Sequence, residues 1–149
     1  MKNFKIVFAG LVALFMTAGL GGCEKKAPDG VEKMHWDRDM CVRCKMAISE
    51  RKFAVQVVDP ATHRHYKFDD IGCAVLWFKE EHIAWEPNAR IWITDGKRGE
   101  WIDAVKAIYG TKAITPMGFG FIAYKDRSEA EDSELIGYDE VRKRILASE

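Results

Sequence analysis

The stretch Phe68-Asp69-Asp70-Ile71-Gly72-Cys73-Ala74-Val75-Leu76-Trp77-Phe78 predicts a strand that leads directly into a capped helix. Aspartate is a preferred N-cap residue, because its carboxylate accepts hydrogen bonds from the free N–H groups of the first helical turn. Beyond the two aspartates, apolar residues recur at the i, i+3, i+4, i+7 spacing of one helix face, namely Ile71, Ala74, Val75 and Phe78. The helix is expected to end near Glu81, since Pro87 bars its continuation.

Short β-rich segments flank this helix on both sides. Residues 53–58 end at the turn signal Asp59-Pro60, and residues 63–68 alternate polar and apolar side chains, so the two segments predict a hairpin. Residues 90–94, Arg-Ile-Trp-Ile-Thr, predict a third strand that closes at Asp95-Gly96. The first half of the chain is therefore expected to have the order ββαβ.

The second half repeats a strand-strand-helix pattern only weakly. The sequence predicts strands at residues 100–104, 107–109 and 118–124. It also predicts an acidic helix from Ser128 to about Leu135 and a closing helix from Tyr138 to Leu146.

A sulfur-rich segment, Met40-Cys41-Val42-Arg43-Cys44-Lys45-Met46, precedes the first hairpin. Thiolate and thioether sulfurs are soft ligands that favour Cu(I). Residues 35–52 show no clean apolar period, which predicts a loop around this segment. Side chains two residues apart point to opposite sides of an extended chain, so Cys44 and Met46 can share one ion only if the backbone turns between them.

The Cys41-x-x-Cys44 pair alone leaves three interpretations open, because such a pair can hold a soft metal, form a disulfide or act as a redox couple. Thioredoxin-type redox pairs lie in a βαβ setting, which is missing before the first hairpin. Zinc usually needs four ligands, and the sequence has no second Cys-x-x-Cys or Cys/His pair. Met46 favours Cu(I) among these interpretations, since a thioether is a poor zinc ligand.

The N-terminus carries the pattern of an export signal. A basic start (residues 1–5) and an apolar run (residues 6–19) lead to Leu20-Gly21-Gly22-Cys23, which resembles a bacterial lipobox. We therefore predict a signal peptide at residues 1–22, lipid including palmitate on Cys23, and a polar tether through residue 34. Residues 35–149 would then form a periplasmic domain anchored to a bacterial membrane.

Composition excludes several classes of protein. The residues after Gly22 carry 21 Lys and Arg against 23 Asp and Glu, a formal charge of −2 that gives no electrostatic case for nucleic-acid binding. Three cysteines remain beyond the lipid attachment site, and an odd number argues against a closed disulfide framework. No catalytic triad, phosphate loop or acid/base carboxylate pair is recognisable, so we do not predict an enzyme.

Four blocks of sequence resemble the NosL family, the accessory lipoproteins of nitrous oxide reductase in denitrification. The blocks are Cys41-Val42-Arg43-Cys44-Lys45-Met46, Phe68-Asp69-Asp70-Ile71-Gly72-Cys73, Trp101-Ile102-Asp103-Ala104 and Thr115-Pro116-Met117-Gly118-Phe119-Gly120. Their order and spacing fit the family, and so does the lipobox. The family pattern often has glycine at the position of Lys45.

The resemblance implies an α+β fold of two small ββαβ units packed as one compact domain, at about residues 35–95 and 96–149. It implies a membrane-anchored Cu(I) chaperone that delivers copper for assembly of the nitrous oxide reductase copper centre. The implied partners are that enzyme and its ABC transporter complex. Cys44 and Met46 are the implied ligands.

The third donor is expected from Met117, Cys41 or His35. Met117 lies in a loop shaped by Pro116, although a methionine there can equally fill an apolar gap. Cys73, in the first helical turn, is interpreted as a buried cysteine and ranks behind Met117 as a ligand.

Two rival functions use the same cysteines. The first is a periplasmic thiol-disulfide redox lipoprotein in which Cys41 and Cys44 cycle between dithiol and disulfide. The second is a non-catalytic lipoprotein scaffold in which the same pair forms a fixed disulfide.

Overall fold

Four short antiparallel strands form the first sheet of the computed structural model, which describes residues 30–148. The strands are β1 (Val55–Val58), β2 (His65–Phe68), β3 (Arg90–Thr94) and β4 (Trp101–Asp103), in the spatial order β2-β1-β3-β4. β1 and β2 form the predicted hairpin, with Val55 opposite Phe68. All four residues of β1 are buried, as expected for a strand inside a sheet.

Helix α1 (Ile71–Glu80) follows β2 and confirms the predicted capped helix. The Asp70 side chain accepts a hydrogen bond of 2.9 Å from the Gly72 N–H. Residues 71–78 of α1 are all buried, so the helix is covered well beyond its one predicted face. The first half therefore has the predicted ββαβ order.

Three strands form the second sheet: β5 (Ile108–Gly110), β6 (Ile122–Tyr124) and β7 (Leu135–Gly137), in the order β6-β5-β7. Helix α2 (Tyr138–Ala147) begins directly after β7. Its contacts with α1 bring the two units together around one hydrophobic core. The predicted α+β domain with two small sheet units is confirmed, although the helix of the second unit follows its last strand.

Two local predictions in the second half are wrong. No α-helix runs from Ser128 to Leu135; a 3₁₀ turn at Arg127–Glu129 is followed by β7. The segment has acidic residues but no apolar face, and Glu129 and Glu134 instead pair with arginines from other elements. The strand predicted at 118–124 begins only at Ile122, because Gly118 and Gly120 adopt positive φ angles of 75° and 86°.

The predicted signal peptide, the lipid site Cys23 and most of the tether lie outside the described residues. Within residues 30–148, no helix is both long and apolar enough to span a membrane.

Candidate metal centre

The sulfur-rich segment folds into a tight loop over the start of α1. Met40 and Ala47 pair as an isolated antiparallel bridge, and the Cys41 N–H donates to the Met46 carbonyl at 2.8 Å. The Lys45 N–H closes the turn by donating to the Cys41 carbonyl at 3.0 Å. Lys45 has a φ of 63°, in the left-handed region that favours glycine. The turn expected between Cys44 and Met46 is confirmed.

This loop brings three cysteines and one aspartate together. The ligand atoms of Cys41, Cys44, Cys73 and Asp69 all lie within 4.8 Å of one another. Cys41 and Cys73 are buried and Cys44 is partly exposed, and all three are free thiols. We call these four residues the thiol cluster. It joins the loop before the first hairpin to the start of α1, so it forms only when the first unit is folded.

The three thiols have different proton affinities. The pKa of Cys41 is lowered to about 6, because its sulfur accepts hydrogen bonds from the Cys73 thiol and from the backbone N–H groups of Cys44 and Asp69. The pKa of Cys44 is raised to about 11 by burial and by the nearby Cys41 and Asp69. The pKa of Cys73 is raised by its interaction with Cys41 and by burial. Cys41 is therefore the thiol of the three that ionises most readily.

Arg43 places a positive charge beside the cluster. Its guanidinium makes a bidentate ion pair with Glu80 at the end of α1, with Nη2 to Oε1 at 2.7 Å and Nε to Oε2 at 2.9 Å. The guanidinium also interacts with Cys73, and its pKa is raised mainly by Glu80. Arg43 thus ties the loop to α1 and partly offsets the negative charge of deprotonated thiols.

The second unit covers the start of α1 through its 115–120 loop. The Met117 N–H donates to Asp70 Oδ2 at 3.3 Å. The Phe119 ring fills the space over Gly72, where an added Cβ would come within 2.1 Å of the ring. The structure therefore brings the backbone of Met117, one of the predicted ligands, close to the turn that carries Cys73. The Met117 side chain is partly buried against the core.

Met46 and His35 occupy different positions from the thiols. The Met46 side chain is 51% exposed at the end of the loop, and Met40 on the paired side is 52% exposed. His35 contacts Asp39, with Nδ1 at 3.6 Å from Oδ1, and it lies outside the thiol cluster. The roles of Met46, Met117 and His35 as ligands stay predictions.

Sequence reasoning ranked Cys73 behind Met117 as a ligand and did not include Asp69 in the site. Asp69 was grouped with Asp70 as a helix cap, but only Asp70 caps α1. Asp69 points instead to Cys44, whose thiol donates to its Oδ2 at 3.3 Å. The sequence did contain a signal for the position of Cys73. It is the third residue of α1, and side chains in the first helical turn tilt toward the chain that precedes the helix.

A separate cleft of about 300 Å³ opens at the β4 edge of the first sheet and is lined by Trp92, Trp101, Lys106 and Lys125 among others. It shares no residue with the thiol cluster and offers no thiol or imidazole, so it is not part of this centre.

The fold is similar to that of a known copper protein. The crystal structure of the copper chaperone NosL from Shewanella denitrificans superimposes with a TM-score of 0.54 over 76% of this chain and 96% of that chain. The two sequences are 16% identical, so the likeness shows the fold alone. No protein-family model matches the sequence, and no curated protein matches it.

Proposed function

We propose that this protein is a copper chaperone that holds Cu(I) on the thiol cluster. The observation that carries the proposal is the convergence of three free thiols, from Cys41, Cys44 and Cys73, in one partly open site. Soft thiolates suit Cu(I), which accepts few ligands and needs no hard oxygen donor. The likeness of the fold to a copper chaperone supports the same metal.

The exposure of the donors suggests how copper enters and leaves. Cys44 is partly exposed, whereas Cys41 and Cys73 are buried. An incoming donor from a partner protein can therefore reach copper on the Cys44 side before the buried thiolates release it. Met46 and Met40, in the same sulfur-rich segment as Cys44, are exposed, and Met46 is the proposed entry ligand.

Protonation helps to keep the metal exchangeable. Cys41, with its pKa lowered to about 6, is the thiol of the three that gives up its proton to copper most readily. The raised pKa values of Cys44 and Cys73 mean that these two thiols release protons when copper binds. Proton competition at these two sites lowers the net affinity and favours release to a partner.

We propose further that the protein works at the periplasmic face of a bacterial membrane, lipid-anchored at Cys23, and supplies copper to nitrous oxide reductase with its ABC transporter complex. The support is the lipobox and the four sequence blocks that resemble the NosL family. Met117 from the second unit and His35 are proposed as additional donors beside the three thiols.

A Cu(I) titration of the reduced chain against a competing chelator tests the metal. We expect one ion per chain, with affinity lowered more than about 100-fold in Cys44→Ser, because even the loss of an outer-shell partner costs 10–100-fold. Met46→Leu should weaken binding, whereas its matched control Met40→Leu should not. Failure of the fully reduced wild type to compete with the chelator would contradict the copper function.

The client is tested separately by transfer. Copper-loaded chain should restore the absorption and activity of copper-depleted nitrous oxide reductase, and the Cys44→Ser variant should not. Efficient Cu(I) binding without transfer to this enzyme would leave a copper protein that serves a different client.

The lowered pKa of Cys41 also favours the redox alternative, because a thiolate beside a second thiol is the reactive form in disulfide exchange. A thiol-disulfide function would survive Met46→Leu, since the thioether takes no part in exchange. Catalysed disulfide reduction that is unchanged in Met46→Leu and lost in Cys41→Ser, without tight Cu(I) binding, would establish this alternative.

A further inference from the structure

The cleft at the β4 edge of the first sheet combines apolar rings with positive charge. Its volume is about 300 Å³, and its walls include Trp92, Trp101, Lys106 and Lys125. Both lysines are exposed. Lys106 lies 3.5 Å from a carboxylate oxygen of Asp103, whereas Lys125 has no carboxylate partner among the described residues. The cleft is therefore a basic, amphipathic surface that the proposed copper function does not use.

The chain enters the domain next to this cleft. A Cβ added at Gly30, the first described residue, would lie 3.8 Å from Trp92 Nε1 and 3.2 Å from a guanidinium nitrogen of Arg90. An extended chain advances by about 3.3–3.6 Å per residue, so Cys23 and Gly30 can be separated by no more than about 25 Å. A lipid on Cys23 therefore holds the Trp92 side of the molecule close to the bilayer.

Hydrogen bonds on the outer face of the first sheet fix this entry point. The Glu32 N–H donates to Gln56 Oε1 at 3.0 Å, and the Gln56 amide donates to the Glu32 carbonyl at 2.9 Å. The Lys67 ammonium donates to the Lys33 carbonyl at 3.1 Å. Gln56 lies directly opposite Trp92 in the strand register, and residues opposite each other share one face of a sheet. The chain therefore leaves the domain at a fixed point on the face that carries Trp92.

The side chains around the cleft suit a membrane–water interface. Tryptophan carries an apolar ring with a polar N–H and is enriched where proteins meet the headgroup region. Each lysine near an anionic bilayer strengthens binding by about fivefold. Val105, in the turn beside Lys106, is 52% exposed and adds an apolar side chain at the same edge.

We propose that this cleft docks the domain on anionic phospholipid headgroups, with Lys106 and Lys125 at the lipid phosphates and the Trp101 ring at the headgroup boundary. The inference rests on the proposed lipid anchor at Cys23 and adds an orientation to it. The anchor brings the bilayer within reach, and the cleft determines which face of the domain lies on it.

Docking at β4 also determines where the 41–46 loop lies. The loop contacts the other edge strand, β2, because the Val42 N–H donates to the Lys67 carbonyl at 2.9 Å. β1 and β3 separate the two edge strands, and neighbouring strands lie about 4.8 Å apart, so β2 and β4 are separated by about 14 Å. A bilayer docked at β4 therefore leaves the partly exposed Cys44 open to a partner in the water.

The reactivity of individual lysines measures this orientation. The lipidated chain is reconstituted in vesicles of phosphatidylcholine, or of phosphatidylcholine and phosphatidylglycerol in equal amounts. A water-soluble acylating reagent is added, and mass spectrometry quantifies the labelling of each lysine. On the anionic vesicles, Lys106 and Lys125 should react at least about fivefold more slowly, and high salt should abolish the difference. Lys45 in the 41–46 loop and Lys143 on α2 are exposed controls and should react at unchanged rates.

Charge reversal at one lysine tests the docking through the other. Lys125→Glu should remove the protection of Lys106, and Lys106→Glu should remove that of Lys125. Lys143→Glu is the matched control, with an exposed lysine on α2, and should leave both protected. Urea unfolding of the three variants confirms that each one folds.

Three other outcomes overturn the inference. Equal labelling of Lys106 and Lys125 on both kinds of vesicle, with the chain attached to each, would exclude docking and leave the lipid anchor and the copper function intact. A chain that carries no lipid and does not sediment with vesicles would overturn the proposed anchor and the docking together. Protection that rises with protein concentration in the absence of vesicles would assign the cleft to a second copy of the chain.

Discussion

The two sheet units use helices of the same length in opposite ways. Both α1 and α2 have ten residues, but residues 71–78 of α1 are all buried, whereas only Tyr138, Val141 and Ile145 are buried in α2. α1 is enclosed because the first sheet, α2 and the 115–120 loop all surround it, and α2 lies at the surface with a charged outer face. The first unit supplies all four residues of the thiol cluster, and the second unit covers the start of α1.

The largest loss of stability is expected at Gly72, where the Phe119 ring of the second unit packs against α1. Gly72→Ala places a Cβ within 2.1 Å of the Phe119 ring, so we expect a loss of about 3 kcal/mol in the free energy of unfolding. Gly137→Ala is the control in the second unit, because a Cβ there has no neighbour within 4 Å, and it should cost less than about 1 kcal/mol. Urea unfolding measures the free energy of unfolding of both variants. Similar losses in the two would show that the 115–120 loop does not pack tightly against α1.

A smaller effect is expected at the junction between the two sheets. The Tyr109 hydroxyl is fully buried in β5 and donates to the Ala104 carbonyl, just after β4, at 2.8 Å. Tyr109→Phe leaves that buried carbonyl without its partner and should cost about 1–2 kcal/mol in urea unfolding. Unchanged stability would mean that water replaces the hydroxyl and that this bond does not join the units.

The carboxylate of Asp70 accepts hydrogen bonds from both units, so its replacement tests how much this shared contact contributes to stability. Asp70→Ala removes the acceptor for the Gly72 and Met117 N–H groups and should lower the midpoint of urea unfolding by the equivalent of about 1 kcal/mol. Asp70→Asn keeps a capping oxygen and should cost less. An equal loss in the two variants would show that charge, rather than capping, is what Asp70 supplies.

The smallest effect is a gain in stability in the 41–46 loop. Lys45 adopts a φ of 63°, which is costly for a residue with a Cβ. Lys45→Gly should stabilise the loop by about 0.5 kcal/mol, after the greater entropy of glycine in the unfolded chain is subtracted. Lys45→Ala keeps the Cβ and should give no such gain in thermal unfolding. A gain in both variants would place its cause in the lysine side chain.

The sequence predicted the first unit well because its signals are local. The N-cap at Asp70 and the apolar spacing along 71–78 define α1, and residues 90–94 match β3 residue for residue. The second unit was predicted poorly because its acidic segment at 128–135 pairs with Arg98, which precedes β4, and with Arg144 in α2. Helix propensity cannot register such ion pairs between elements.

The candidate site was likewise predicted only in part from the sequence. The pair Cys41-x-x-Cys44 was visible in the sequence, as was the turn before Met46. The addition of Cys73 and Asp69 was not visible, because it depends on how the 41–46 loop packs against α1, about 30 residues further along the chain. The sequence predicted a buried thiol at Cys73, which the structure confirms, but it did not predict that Cys41 and Cys44 lie beside it.

The sharing of Asp70 has a consequence for hydrogen exchange. Its two oxygens receive amide protons from Gly72 in the first unit and Met117 in the second. These two amides should therefore exchange with solvent at related rates, even though they are 45 residues apart in the sequence. An opening of the 115–120 loop that releases Met117 would also loosen the first turn of α1, where Cys73 lies. The rate of local opening in the second unit therefore sets how often the buried thiols are exposed to solvent.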